Sequence, residues 1–107
     1  MIRGYPNLDV CNDSVVLSET GVIVVHYWAS ARAAAGLDAE EVPVVGSMSL
    51  ADLMVILVQR HPGTNLADVL HACSVLRGDE PVKNRDPATV ELRAGQTVEF
   101  LPPFAGG

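Results

Sequence analysis

At 107 residues with 49% apolar side chains, the chain can bury one self-supporting core and is too apolar to be disordered. Seven Lys and Arg stand against thirteen Asp and Glu, a net charge of −6. The few cations are scattered, which excludes a nucleic-acid binder with a clustered basic face.

No apolar run approaches the ~20 residues needed to span a bilayer, so no membrane role is expected. The two cysteines, Cys11 and Cys73, lie far apart without CxxC or zinc spacing; free thiols in a reducing cytoplasm are expected.

Taken in chain order, residues 1–20 read as an N-terminal extension. Gly4, Pro6, Asn7, Asn12 and Asp13 punctuate it, and only Val15-Val16-Leu17 has strand character. Residues 21–107 form the domain. Val22 to Trp28 is β-branched, aromatic and nearly continuously apolar, as for a central strand covered on both faces. Ala29 to Gly36 is a short helical turn or loop ended by glycine. Glu40 to Gly46 is a second strand, and Pro43, which has no N–H to donate, places it at a sheet edge or at an unpaired position.

Ser49 to His61 is the main helix. Ser49 is its N-cap, and Leu50, Leu53, Met54, Leu57 and Val58 fall at i, i+3, i+4, i+7, i+8 as one apolar stripe. Pro62-Gly63 stops it, and Leu66 to Ala72 is a shorter helix. Cys73 to Leu76 is a third strand. A turn at Arg77-Gly78-Asp79 leads to a short segment around Pro81-Val82, then a polar loop over 83–87. Thr97 to Leu101 is the last strand, with Val98 and Phe100 on one face and Glu99 and Leu101 on the other. This order predicts an α+β fold: a mixed sheet of the ubiquitin-like β-grasp type with one main helix on one face.

Catalytic side chains are not evident. No GxSxG, P-loop or GxGxxG is present. His26, His61 and His71 are too dispersed for a metal site; His26 reads as a core or partner-facing residue and the other two as helix-end and surface residues. The acidic run Asp38-Ala39-Glu40-Glu41 reads as solvated.

The chemistry concentrates in Pro102-Pro103-Phe104-Ala105-Gly106-Gly107. A Gly-Gly end occurs by chance in roughly one chain in 200, so on its own it reads as a frayed terminus. Here it follows a strand and a stiff proline pair, and the last six residues can reach ~20 Å when extended. Glycine is the thinnest peptide and enters narrow channels. The tail therefore reads as a flexible arm carrying a carboxylate. That group is inert until activated, and once adenylated it can accept sulfur or an amine.

Two motifs carry a family resemblance over residues 22 to 107. Val24 to Gly36 is similar to an opening strand followed by aromatic-Ala-x-x-Arg and Gly. Val98 to Gly107 is similar to a closing strand with a Pro-Pro-x-x-Gly-Gly tail. Together they resemble the MoaD/ThiS ubiquitin-like sulfur carriers, in particular the small subunit of molybdopterin synthase.

The resemblance implies that the Gly107 carboxylate is adenylated by an E1-like, MoeB-like enzyme using ATP and Mg²⁺, with no permanently bound cofactor. It then becomes a thiocarboxylate. Gly106 and Gly107 would thread into a MoaE-like large subunit, where sulfur passes to cyclic pyranopterin monophosphate. Leu101, Pro102, Pro103, Phe104 and Ala105 would line the docking path. Arg32 would be an interface or loop-anchoring residue, with a solvated arginine the competing reading. Three departures are present: residues 1–20 have no counterpart in the family, Trp28 stands where Phe is commoner, and Arg77-Gly78-Asp79 replaces an Asn-containing turn. The alternatives are a carrier for thiamine, cysteine or tRNA thiolation, a ubiquitin-like protein modifier, and an interaction domain with an accidental Gly-Gly end.

Overall fold

The computed structural model describes residues 20–103. The apolar run forms β1 (Thr20–Tyr27). Its residues alternate: Ile23, Val25 and Tyr27 are buried, while Val22, Val24 and His26 are half-buried. The expectation of a strand covered on both faces is thus corrected. Among the described residues the helices pack on one face only, and β-branched residues on the other face serve strand geometry more than burial.

Trp28 is extended and precedes α1 (Ala29–Ala35), which ends at Gly36 with φ 82°, a left-handed cap that glycine adopts without steric cost. β2 (Ala39–Val45) pairs antiparallel with β1, Pro43 opposite Val22. It is the edge strand, where a residue lacking an N–H is tolerated. β3 (Ser47–Ser49) leads directly into α2 (Leu50–Arg60), whose first turn is capped by the Ser49 hydroxyl accepting from the Asp52 N–H at 3.0 Å. The stripe splits by depth: Leu50, Leu53 and Leu57 are buried, Met54 and Val58 half-buried.

α3 (Leu66–Ala72) adds Leu66 and Leu70 to the core. β4 (Ser74–Arg77), β5 (Glu80–Pro81), a 3-10 turn (Pro87–Thr89), β6 (Glu91–Arg93) and β7 (Thr97–Leu101) follow.

The main sheet runs β2-β1-β7-β4-β5. β1 and β7, the first and last strands among the described residues, meet at its centre as a parallel pair, Val25 beside Val98 and Tyr27 beside Phe100. β4 pairs antiparallel with β7 on the other side. This is the ubiquitin-like β-grasp arrangement, with α1 and α3 joining α2 over the inner face. A separate ribbon of β3 and β6 closes one end; three-residue strands carry too little periodicity to be read from sequence.

The acidic run 38–41 is not a solvated loop. Ala39 to Glu41 belong to β2, and Glu40 is turned inward beside Tyr27.

Candidate functional site

The tail leaves from the centre of the sheet. Val98 and Phe100 are fully buried, and the alternation of β7 turns Glu99 and Leu101 to the outer face. The Phe100 ring stacks on Tyr27, centroids 6.3 Å apart and planes 19° from parallel. The Trp28 N–H donates to the Phe100 carbonyl at 3.2 Å, and its indole Nε1–H donates to Glu99 Oε1 at 3.0 Å. The last turns of β1 and β7 are thereby fixed together, and the point at which the chain exits is set by core packing.

Leu101, half-buried, lies beside Ser74. Pro102 is half-buried and Pro103 exposed; both stand against α3 and the start of α1, walling a hollow with Ser30, Asp68, Val69 and Ala72. The structure thus brings Leu101, Pro102 and Pro103 together at the exit. Phe104, Ala105, Gly106 and Gly107 lie outside the described residues. Arg32 sits apart from them on α1. Its guanidinium is 3.4 Å from Asp38 Oδ1, with both side chains largely exposed, so it ties α1 to the approach to β2.

Half-buried apolar residues run along the outer face: Leu76 of β4, opposite Glu99, stands near Leu101, while Val24 and Val22 of β1 lie level with the start of β7, away from the exit. Trp28 is 48% exposed at its end, close to the exit. His26 and Glu99 are paired in register near the middle of this face. His26 is therefore on the outer face rather than in the core.

One cluster escaped the sequence reading. Glu40 Oε2 accepts from the Tyr27 hydroxyl at 2.6 Å and lies 2.7 Å from His61 Nε2; Glu40 Oε1 accepts from Arg60 at 2.8 Å. Arg60 also donates to the Glu41 carbonyl at 2.9 Å, and the Tyr27 and His61 rings meet edge to face. His61 is thus a half-buried partner of β2 rather than a surface residue. Burial pushes the Glu40 carboxyl up, but the hydrogen bonds from Tyr27, His61 and Arg60 outweigh it and hold the group below its ordinary range. Burial, then the bond to Glu40, raises the Tyr27 hydroxyl well above its usual value. The cluster joins the C-terminal end of α2 to β1 and β2 beneath Phe100. The partners are 13, 20 and 21 residues from Glu40, so no local motif marks them.

Among the described residues no three His, Cys, Asp or Glu converge on a metal position. Cys73 is a free, half-buried thiol pushed by burial up to about 11, a poor nucleophile at neutral pH. No helix among the described residues is long and apolar enough to cross a membrane.

Comparison with known proteins agrees with this geometry. The model of the ThiS family matches residues 25–107. The molybdopterin synthase sulfur carrier subunit of Aspergillus niger is 31% identical over 91 residues, 85% of this chain and all of that protein. Among solved structures, SAMP1 from Haloferax volcanii, a small archaeal modifier protein, superposes with a TM-score of 0.64 at 24% identity, covering 81% of this chain and 100% of that one. Subunit 1 or 2 in the complex of the two molybdopterin-converting factor subunits from Helicobacter pylori superposes with a TM-score of 0.56 at 21% identity, covering 80% and 99%. The last two likenesses establish the fold. The family match, reaching from β1 through Gly107, and the curated relative establish more: the chain belongs to the ThiS family, the MoaD/ThiS type of ubiquitin-like sulfur carrier.

Proposed function

We propose that this protein is the sulfur-carrying small subunit of a molybdopterin synthase. The observation that carries the reading is the course of β7: the buried central strand emerges through Pro102-Pro103 directly into Phe104-Ala105-Gly106-Gly107. The fold provides rigidity up to Leu101, and the sequence beyond narrows to two residues without side chains.

In this reading an E1-like, MoeB-like enzyme adenylates the Gly107 carboxylate with ATP and Mg²⁺. Adenylation releases pyrophosphate; hydrosulfide, sulfur at the sulfide level, then attacks the acyl carbon, AMP leaves, and a thiocarboxylate results. That end threads into a MoaE-like large subunit and gives its sulfur to cyclic pyranopterin monophosphate. The relative in Aspergillus niger and the two-subunit complex from Helicobacter pylori support both the pathway and a large-subunit partner. The protein contributes a carboxylate and its delivery; the catalytic side chains belong to its partners. The reducing cytoplasm, where a thiocarboxylate is not oxidised, suits this chemistry.

Incubation with the activating enzyme, ATP and a sulfur donor is expected to shift the intact mass by the exchange of one oxygen for sulfur at Gly107. Deletion of Gly107 should abolish the shift while leaving the thermal transition unchanged. An unmodified mass with an active enzyme would overturn the reading. Isopeptide-linked conjugates of Gly107 on cellular lysines, without sulfur transfer, would favour a protein modifier instead.

A further inference from the structure

Beside the exit of β7 lies an open hollow of about 260 Å³. Its walls come from three parts of the fold: Ser30 at the start of α1, Asp68, Val69 and Ala72 along α3, and Pro102 and Pro103 of the departing chain. Val69 is half-buried and packs on the core, so it forms the floor, while Ser30, Asp68 and Ala72 are exposed and form the rim. Nothing in α1 or α3 requires the two prolines to lie here. They follow the end of the central strand β7 and wall the hollow opposite α3, so the next residue starts at its rim.

We propose that this hollow is a resting seat for the chain's own Phe104. The occupant is set by connectivity. Phe104 is bonded to Pro103, which is itself a wall, so the ring needs no loop closure to reach the floor. The effective concentration of a group tethered this closely is high, and the proline pair restricts the tether, so the cost of docking is mainly that of ordering Phe104 itself.

The chemistry fits the same residue. The lining exposes mostly carbon, and a phenylalanine ring has roughly 150–250 Å² to remove from water. Ala105 and the glycines add little competing bulk. The one charge on the rim, Asp68, disfavours a carboxylate there, so the seat suits the ring and not the chain's terminal group.

A consequence follows for the proposed sulfur carrier, and it rests on that reading. Phe104 must leave the seat before Gly106 and Gly107 can thread fully into a partner's channel. The partner therefore has to offer the ring a better site than α3 does.

The test uses the full, unactivated chain, so its failure would leave the sulfur-carrier reading untouched. Methyl-resolved NMR of the wild type is expected to show Val69 and Ala72 methyl signals displaced upfield by a ring current, with cross-relaxation from the Phe104 ring to Ala72. Phe104→Ala should abolish both, with the amide signals of β1 and β7 unchanged as evidence of an intact fold. Ala72→Asp should move the Phe104 ring signals to the positions of a solvent-exposed phenylalanine. Val69 and Ala72 signals identical in wild type and Phe104→Ala would overturn the proposal.

Discussion

Glu40 shows how one side chain can join three elements. Its carboxylate takes donors from β1 and from the C-terminal end of α2, and only 11% of the side chain is exposed. Loss of charge there removes the ion pair with Arg60 and leaves one acceptor oxygen where Tyr27, His61 and Arg60 had two, a cost of about 1–3 kcal/mol. Glu40→Gln is therefore expected to lower the midpoint of denaturation at pH 7. The pH dependence has a definite sign. The folded carboxyl titrates below its ordinary value of 4.5, so its contribution is complete above that value and is lost as the pH falls through the folded-state value. The gap between wild type and Glu40→Gln should close in acid, and urea unfolding at a series of pH values measures it. A gap that persists at the lowest pH at which the protein folds would contradict this assignment. The sequence concealed this residue for a physical reason. A strand beginning at Glu40 already sets Glu40 on the face of Val42 and Val44, but two glutamates so near an aspartate look solvated, and the donors that hold Glu40 inward come from residues 13 to 21 positions away.

At the scale of elements, legibility followed length and periodicity. α3 and β7 have the bounds expected from sequence, and α2 differs only at its caps, because a stripe over three turns or a Pro/Gly stop defines them unambiguously. The β3–β6 ribbon and the parallel pairing of β1 with β7 had no such marker; both arise from contacts between distant segments. One of those contacts is tight enough to test. The turn between β6 and β7 docks on the start of β1: the Gly95 N–H donates to the Val22 carbonyl at 2.8 Å, and Gln96 accepts from the Val24 N–H at 3.0 Å. A Cβ on Gly21 would come within 2.9 Å of the Ala94 Cβ, too close without a backbone shift. Gly21→Ala should therefore destabilise by about 1–3 kcal/mol, as overpacking does. Ala94→Gly in the same chain removes the clashing atom and should recover part of the loss. A double-mutant cycle on chemical denaturation reads the coupling, and strict additivity of the two changes would show that the contact is not tight.

The molecule as a whole has two unlike sides. The inner side of the sheet is closed by α1, α2 and α3 over Ile23, Val25, Val98 and Phe100, all fully buried. The outer side keeps Val22, Val24, Leu76 and Leu101 only half-covered, and Val45 is 68% exposed at its edge. If the tail enters a partner as proposed, the surface beside the point of entry is covered, and on the outer side that surface holds Leu101, Leu76 and Trp28. Leu101→Arg changes a half-exposed outer residue and leaves Phe100 in place, so stability should hardly change. Binding to a large synthase subunit should weaken by about 2 kcal/mol or more, roughly thirtyfold in Kd, the cost of placing a charge in a desolvated contact. The chain carries its own reporter for this: Trp28 is its only tryptophan, half-exposed, held by Glu99 at the same end of the sheet. Its emission should shift to the blue as the partner excludes water, saturating at the same concentration as the binding isotherm. In Leu101→Arg that saturation should move to higher partner concentration in proportion to the loss of affinity. If emission stays constant while a pull-down shows the complex, the partner docks elsewhere, and the outer face around Leu101 is not the delivery surface.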